Sequence, residues 1–139
     1  MRVVAREDVE RFRTAVAAYN RRDLDTFLAV CDPEVESYPI TAAAEGGAYR
    51  GPEGVRRWWE NMKATWGDSL HAQVAEVRDL GDRLVALGRL TGRGLGSGIA
   101  LDTELGWVVE FREGRIIRWR AFSRHADAVE AAGLAEWQA

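Results

Sequence analysis

The chain has 139 residues, of which 47% are hydrophobic and 29% are charged, and this balance is typical of one folded domain with a buried core. Its formal net charge of -3 argues against nucleic acid as the main partner, because phosphate binding requires a concentrated positive surface. The sequence contains no apolar run of membrane-spanning length, and residues 1–8 lack the apolar core of a signal peptide, so we expect a soluble cytoplasmic protein without a membrane partner.

Two helices are predicted near the amino terminus. Over residues 6–20, apolar side chains from Val9 to Tyr19 recur at helical spacing, and acidic residues stand in the first turn, where the helix dipole favours anions. Asp23 is a candidate N-cap for a second helix over residues 24–31, which the Asp32-Pro33 pair ends.

A short strand, a loop and a third helix are predicted next. The strand covers residues 35–40, and Pro39 within it indicates an edge position, where a missing N–H costs little. Residues 41–50 are rich in alanine and glycine and predict a mobile loop. Pro52 opens a helix that Gly67 ends, and a stripe of large apolar side chains runs along it from Val55 to Trp66.

After Gly67 the hydrophobic period changes to two residues, which indicates strands. Predicted strands cover residues 70–79, 83–91, 99–111 and 115–124, and a last short helix covers residues 126–132. Helices followed by a meander of strands predict a single α+β domain over residues 1–139, with three N-terminal helices packed on one face of a curved antiparallel sheet. Such a sheet tends to enclose a pocket, whose mouth we expect near the 41–50 loop.

The last two strands form a predicted hairpin around Gly114, and neither strand has a purely polar face. Side chains alternate across a strand, so the hairpin presents apolar groups on both sides. On one side they are covered by helices, and on the other we expect a partner subunit or another sheet layer, because a free apolar face of this size is rare on a monomer. The residues predicted to share faces are Leu105, Trp107, Val109 and Phe111 on the first strand, and Ile117, Trp119, Ala121 and Ser123 on the second.

Four segments of the chain resemble one known family. The sequences AYNRRDLD at 18–25, DPEVE at 32–36, YRGPEGV at 49–55 and EGRI at 113–116, in this order of elements, resemble the SnoaL-like branch of the nuclear transport factor 2-like superfamily. The resemblance spans nearly the whole chain and implies a cone-shaped α+β barrel with a deep apolar cavity, often dimeric through the convex sheet. It does not imply one activity, because the family includes polyketide cyclases, ketosteroid isomerases, epoxide hydrolases and binding proteins.

The acid and base groups that the resemblance leads us to expect are replaced in this chain. Where ketosteroid isomerases carry their general base, this chain has Ser37, whose hydroxyl is too weakly basic at neutral pH. Their oxyanion-hole acid falls at Trp107 and their first-helix tyrosine at Ala15. The aspartate and histidine of the cyclase branch fall near Ala121 and Trp119.

Aromatic side chains are the first candidates for a binding site, because they offer large contact area with a polar handle. Six tryptophans in 139 residues favour an apolar chamber, although plain core packing is the alternative. The predicted ligand-binding residues are Tyr19, Phe27, Tyr38, Trp58, Trp59, Met62, Trp107, Val109, Trp119 and Ala121.

Ionisable residues that alternate with apolar ones in the predicted strands are the candidate catalytic residues, namely Glu104, Glu76 and Arg89. If such a carboxylate pointed inward, burial would raise its pKa and suit it to acid or base chemistry. The alternative is that these residues form cross-strand ion pairs on the outer face or in a dimer interface.

No metal site and no cofactor are predicted. The chain has neither the His-Glu-x-x-His nor the Cys-x-x-Cys spacing, and its two histidines, His71 and His125, are expected to have surface or capping roles. The glycine-rich segment at 92–98 is similar to a phosphate-binding loop, but a strand and not a helix follows it, so we expect a bulged strand connection at the rim.

Three functions remain open at this point. The first is a homodimer that binds a small apolar molecule between the helices and the sheet. The second is a cofactor-free isomerase, cyclase or hydrolase, most simply an isomerase or cyclase acting on a polyketide-like or steroid-like compound. The third is a structural dimerisation module with a filled core. The surroundings of Trp107 distinguish them: an inward carboxylate or arginine with space beside it favours chemistry, apolar walls favour binding, and no space favours the structural role.

Overall fold

The computed structural model of the chain describes residues 6–42 and 46–135. Residues 43–45 of the predicted loop and residues 1–5 lie outside this range. The described elements, in chain order, are α1 (Arg6–Arg21), α2 (Leu24–Ala29), β1 (Cys31–Tyr38), β2 (Tyr49–Arg50), α3 (Gly51–Trp66), β3 (His71–Asp79), β4 (Arg83–Arg93), β5 (Ala100–Arg112), β6 (Arg115–Phe122) and α4 (His125–Ala131). The predicted α+β class is confirmed.

The six strands form one mixed sheet in the order β2-β1-β6-β5-β4-β3. Strands β3 to β6 are an antiparallel meander, as predicted, but β1 pairs in parallel with β6. The prediction of a purely antiparallel sheet was therefore wrong at this one junction. The predicted edge position of the first strand was also wrong, because β2 is the edge and Pro39 lies beyond the last residue of β1, where no ladder N–H is required.

The second helix is shorter than predicted. Asp23 caps it, accepting a hydrogen bond from the backbone N–H of Thr26 at 3.1 Å. The helix ends at Ala29, and Cys31 opens β1 instead, paired with Ile116 of β6. Strand pairing between distant parts of the chain thus outweighs the helical pattern at Cys31.

The larger core cluster lies between the inner face of the sheet and helices α1 to α3. Phe12 of α1 is fully buried, and its ring lies 5.5 Å from that of Trp107 and 5.7 Å from that of Trp119. Val55, on the buried stripe of α3, is likewise inaccessible. Phe27 of α2 belongs to the same cluster, so all three helices pack on the face that carries both sheet tryptophans.

The outer face of the sheet is covered by α4. The helix itself was predicted, but its packing on this face was not. Ala128 and Val129 of α4 pack against Val85 and Val108 in a second buried cluster. Gly106 permits this close approach, since a Cβ at that position would lie 2.6 Å from the Cβ of Ala128. The second apolar face of the hairpin therefore finds cover within the chain, and the homodimer stays a prediction that this face no longer requires.

A bulge in β6 alters the predicted faces of the hairpin. Phe111 pairs with Ile116 while Glu110 pairs with Arg118, so Ile117 is an extra residue on β6. As a result Ile116 is fully buried, whereas Ile117 is half-buried in a groove lined mainly by charged side chains. The prediction that Ile117 shares a face with Trp119 was wrong for this reason.

Candidate ligand-binding cavity

A cavity of about 310 Å³ lies between the helices and the inner face of the sheet. Its walls come from α1, from the segment after β1, from the second half of α3, and from strands β3 to β6. Thr41, Asn61 and Thr65 are its exposed lining residues, so the opening lies between the segment after β1 and the end of α3. None of the described lining residues carries a formal charge.

Most of the predicted ligand-binding residues border this cavity. Those that do are Tyr19, Trp58, Met62, Trp107, Trp119 and Ala121. Trp107 and Trp119 enter it from neighbouring strands, because Trp107 pairs with Ala121 and Trp119 with Val109 across the hairpin. The alternation of side chains along β5 and β6 therefore places the two indoles on the same inner wall.

Phe27 and Trp59 lie behind the cavity wall and do not border the cavity. The ring of Phe27 lies 5.9 Å from that of Trp58, 5.2 Å from that of Trp59 and 5.4 Å from that of Trp119. Aromatic pairs at these separations are attractive beyond their buried area. Both residues therefore hold the wall tryptophans in place. The indole N–H of Trp59 is buried without a hydrogen-bond partner among the described residues.

Tyr38 and Val109 also lie away from the cavity. The hydroxyl of Tyr38 donates to Glu36 at 3.0 Å, and that hydrogen bond is the main reason why the pKa of Glu36 is lowered. Val109 is fully buried in the main core cluster. The alternation of side chains along the strand predicts that Val109 is buried, but it does not show that Val109 lies away from the cavity.

The sequence did not identify about two thirds of the described lining residues. These residues lie on α1, after β1, on α3 and on three strands, and they are Val16, Pro39, Ile40, Thr41, Asn61, Thr65, Trp66, Leu70, Ala72, Leu90, Leu101 and Leu105. Hydrophobic periodicity indicates which face of an element is buried, but it cannot separate a side chain that borders a space from one that touches another side chain.

Tyr19 brings an ionisable group into the buried part of the cavity wall. Burial is the main cause that raises its pKa to about 12, so the phenol is neutral at physiological pH. The guanidinium of Arg22 lies over its ring, 5.1 Å from the centroid, and acts in the opposite direction on the pKa. Arg22 also donates to the backbone oxygen of Tyr19, and to that of Leu70 at 2.7 Å.

Glu104 and Arg89, two of the predicted catalytic residues, are exposed on the opposite face of the sheet from the cavity. Glu104 accepts the backbone N–H of His125 at 2.8 Å, which is the main reason why its pKa is lowered, so it caps α4. Arg89 forms an ion pair with Asp102 at 2.8 Å. The expectation that these side chains point inward does not match the structure, and their partners fit the alternative of surface ion pairs.

Glu76, the third predicted catalytic residue, is also exposed and does not line the cavity. It follows a bulge in β3 and pairs with Leu87, whose side chain belongs to the outer cluster under α4. The bulge shifts the alternation of β3, and this shift places Glu76 on the outer face.

Two further predicted features have structural roles. The segment at 92–98 connects β4 to β5, and its turn is closed by hydrogen bonds between Gly94 and Ile99 at 2.9 Å and between Gly98 and Gly94 at 3.0 Å. It is a strand connection, as predicted, but the ladder between β4 and β5 runs without a bulge. The ring of His125 contacts the backbone oxygen of Gly88 at 2.7 Å, which docks the start of α4 on the sheet.

None of the described lining residues is a carboxylate or a histidine, the acid and base groups expected from the resembled enzymes. Ser37, which the resemblance aligns with an isomerase base, does not line the cavity; it is 1% exposed, and its hydroxyl has no hydrogen-bond partner within the described chain. Among residues 6–42 and 46–135, no three histidine, cysteine, aspartate or glutamate side chains come together as potential metal ligands. None of the helices in the described part is both long and apolar enough to span a membrane.

A family model of the SnoaL-like domain matches residues 9–119 of this sequence. The chain belongs to the SnoaL-like family. This finding confirms the resemblance seen in the four sequence segments. Among curated protein sequences, none matches this SnoaL-like chain.

Solved structures of low sequence identity share the fold of this SnoaL-like protein. A nuclear transport factor 2-like protein of unknown function from Burkholderia pseudomallei K96243 is 20% identical, with a TM-score of 0.78 over 91% of this chain and 97% of that chain. TerC, co-crystallised with polyporic acid, is 19% identical, with a TM-score of 0.75 over 91% and 98% of the two chains. A proposed SnoaL-like polyketide cyclase from Jannaschia sp. CCS1 is 23% identical, with a TM-score of 0.72 over 94% of both chains. At these identities the likeness establishes the fold alone.

Proposed function

We propose that this SnoaL-like protein binds a small, largely apolar molecule in the cavity between its helices and its sheet. One observation carries the proposal: a space of about 310 Å³ is lined mainly by aromatic and aliphatic side chains, and none of its described lining residues carries a formal charge. Empty apolar space costs stability in a protein core, and a concave apolar pocket is the usual form of a small-molecule site. The surroundings of Trp107 support binding over the structural role, because apolar walls and open space lie beside it.

The cavity supports binding more directly than it supports the isomerase or cyclase alternative. General acid–base catalysis requires a titratable group within reach of the substrate. The one ionisable side chain of the described lining is Tyr19, whose pKa of about 12 makes it a poor proton acceptor at neutral pH. The relationship to a proposed polyketide cyclase therefore does not extend to a recognisable set of catalytic groups.

Isopropylbenzene is a suitable first probe, because it is apolar, uncharged and small enough for the space. Small ligands in such sites gain about 0.5 kcal/mol per non-hydrogen atom. Isopropylbenzene is then expected to bind with about 4–5 kcal/mol, a dissociation constant of about 1 mM or below. The tryptophan indole N–H signals in ¹H–¹⁵N spectra report its position, since Trp58, Trp66, Trp107 and Trp119 line the cavity and Trp59 does not.

Ala121→Leu tests whether the probe occupies the cavity. Ala121 lines the space from β6, so the larger side chain fills part of it and is expected to weaken binding by about tenfold. Ala75→Leu makes the same change at an exposed position of β3 and is expected to leave binding unaltered. Absence of saturable shifts in the wild-type chain, or an equal affinity in Ala121→Leu, overturns the proposal.

We propose two partners for this chain: a second copy of itself, and the apolar molecule in the cavity. Sedimentation at micromolar concentration tests the dimer, and a monomer at that concentration contradicts it. A cavity that binds the probe in a monomer leaves the binding function intact.

A further inference from the structure

The polar atoms of the cavity are not evenly distributed. At its mouth, the exposed residues Thr41, Asn61 and Thr65 offer both donors and acceptors. In the buried part, the polar side-chain groups are the hydroxyl of Tyr19 and the indole N–H groups of Trp58, Trp107 and Trp119, beside the weakly accepting sulfur of a methionine. The interior is therefore rich in hydrogen-bond donors and poor in acceptors.

The Tyr19 hydroxyl is the most acidic of these donors and is kept in its neutral form. Tyr19 is 9% exposed, and no hydrogen bond to its hydroxyl occurs within residues 6–42 and 46–135. The ring itself is fixed: it lies 6.1 Å from the ring of Trp58 and 6.0 Å from that of Trp59, and the guanidinium of Arg22 covers it. A fixed donor without a partner in an apolar wall is suited to a ligand acceptor, since leaving it unpaired costs free energy.

Arg22 holds this arrangement from behind the wall. Its guanidinium joins the backbone oxygens of Tyr19 in α1 and Leu70 ahead of β3, two residues whose side chains line the cavity. Arg22 does not itself line the space, and its Nε, which has no hydrogen-bond partner in the described chain, lies 4.0 Å from the carboxylate of Asp68. We regard it as a positioning residue for Tyr19.

We infer that Tyr19 is the specificity-determining donor of the cavity, and that the ligand is a neutral, largely apolar molecule whose carbonyl or ether oxygen accepts the Tyr19 hydrogen bond. This inference rests on the proposed binding function and adds the chemical class of the ligand to it. The same lining disfavours a cationic or anionic ligand, because a buried charge without a counter-charge carries a large desolvation cost.

Three probes of nearly the same shape separate these requirements. Isopropylbenzene has no acceptor, acetophenone presents a neutral carbonyl, and benzoate presents an anionic carboxylate at the same position. Their dissociation constants are measured on the full chain by titration of the tryptophan indole signals. Tyr19→Phe removes only the hydroxyl, and Tyr38→Phe is the matched control, because Tyr38 bonds Glu36 away from the cavity.

In Tyr19→Phe, acetophenone binding is expected to weaken by about tenfold, the effect of leaving a buried carbonyl unpaired, while isopropylbenzene binding changes by less than about twofold. Tyr38→Phe is expected to alter neither, and benzoate is expected to bind weakest. If Tyr19→Phe changes both neutral probes alike, or neither, the donor role is overturned. If benzoate binds most tightly, the neutral class is overturned.

A second measurement does not depend on a variant. The carbonyl stretching band of acetophenone bound to the wild-type chain is expected at lower wavenumber than in hexane, because a phenol hydrogen bond weakens the C=O bond. An unshifted band refutes the inference even if Tyr19→Phe fails to fold. Failure of isopropylbenzene itself to bind is a different result and refutes the proposed function.

Discussion

The packing of α4 on the outer face of the sheet can be tested by moving one methyl group. Gly106→Ala places a Cβ 2.6 Å from the Cβ of Ala128, about 1 Å closer than ordinary contact, whereas its next neighbour, an atom of Leu87, lies at 3.6 Å. Ala128 is therefore the one close obstacle. Overpacking of this kind typically costs about 1–3 kcal/mol. For a domain of this size, that corresponds to a fall in melting temperature of roughly 4–12 °C.

The partner substitution provides the refutation. Ala128→Gly alone is expected to cost about 1–2 kcal/mol through lost burial and lower helix propensity. In the double variant, the new methyl group at position 106 occupies the space that Ala128→Gly vacates. The double variant is therefore expected to be destabilised by about 1 kcal/mol or more less than the sum of the two single variants. Urea unfolding of the four proteins, followed by tryptophan fluorescence, measures this coupling. Additivity within about 0.5 kcal/mol would refute the claim that α4 covers Gly106.

Two further predictions concern the ionisable groups beside α4 and the cavity. Glu104→Gln is expected to destabilise the chain at pH 7, because the folded state lowers the pKa of Glu104 by hydrogen bonding to the N–H of His125. Stability from a lowered carboxyl pKa is present above the unfolded value of about 4.3 and is lost as the pH falls through the folded value. The difference from wild type should therefore disappear in urea titrations on the acid side of that value, and a constant difference contradicts the assignment. Arg22→Met is expected to raise the pKa of Tyr19 further, since a nearby cation that lowers it is lost. At pH 11, ¹³Cζ-tyrosine spectra should show less ionised Tyr19 than in wild type, and Arg21→Met, which removes an exposed charge, should not alter it.

Sequence reasoning was sufficient for the fold class and most element bounds because the apolar periods of this chain are long and regular. It failed where contacts between distant segments decide the outcome. Cys31 fits a helical pattern but pairs with Ile116, and the last short helix gave no sign that it would cover Val108. The hydrophobic pattern of a short segment does not show which distant segment it will contact.

The candidate site was predictable only in part, for a related reason. The strand pattern placed Trp107 and Trp119 on one inner face, but two bulges, at Ile117 and ahead of Glu76, are invisible in the alternation of apolar residues. The role of Tyr19 also depends on a cation from the turn after α1, Arg22, whose backbone adopts a positive φ of 60°.

The parallel pairing of β1 with β6 has a consequence for synthesis of the protein on the ribosome. These strands come from opposite ends of the chain, and β6 also carries Trp119 into the cavity wall. While the β6 segment is still inside the ribosome, the nascent chain can form α1 and α3, but the apolar stripes of these helices remain exposed to water. Association with other chains or with chaperones then competes with folding. The hollow that defines this molecule is consequently among the last of its features to form, and its closure depends on a slow, non-local strand pairing.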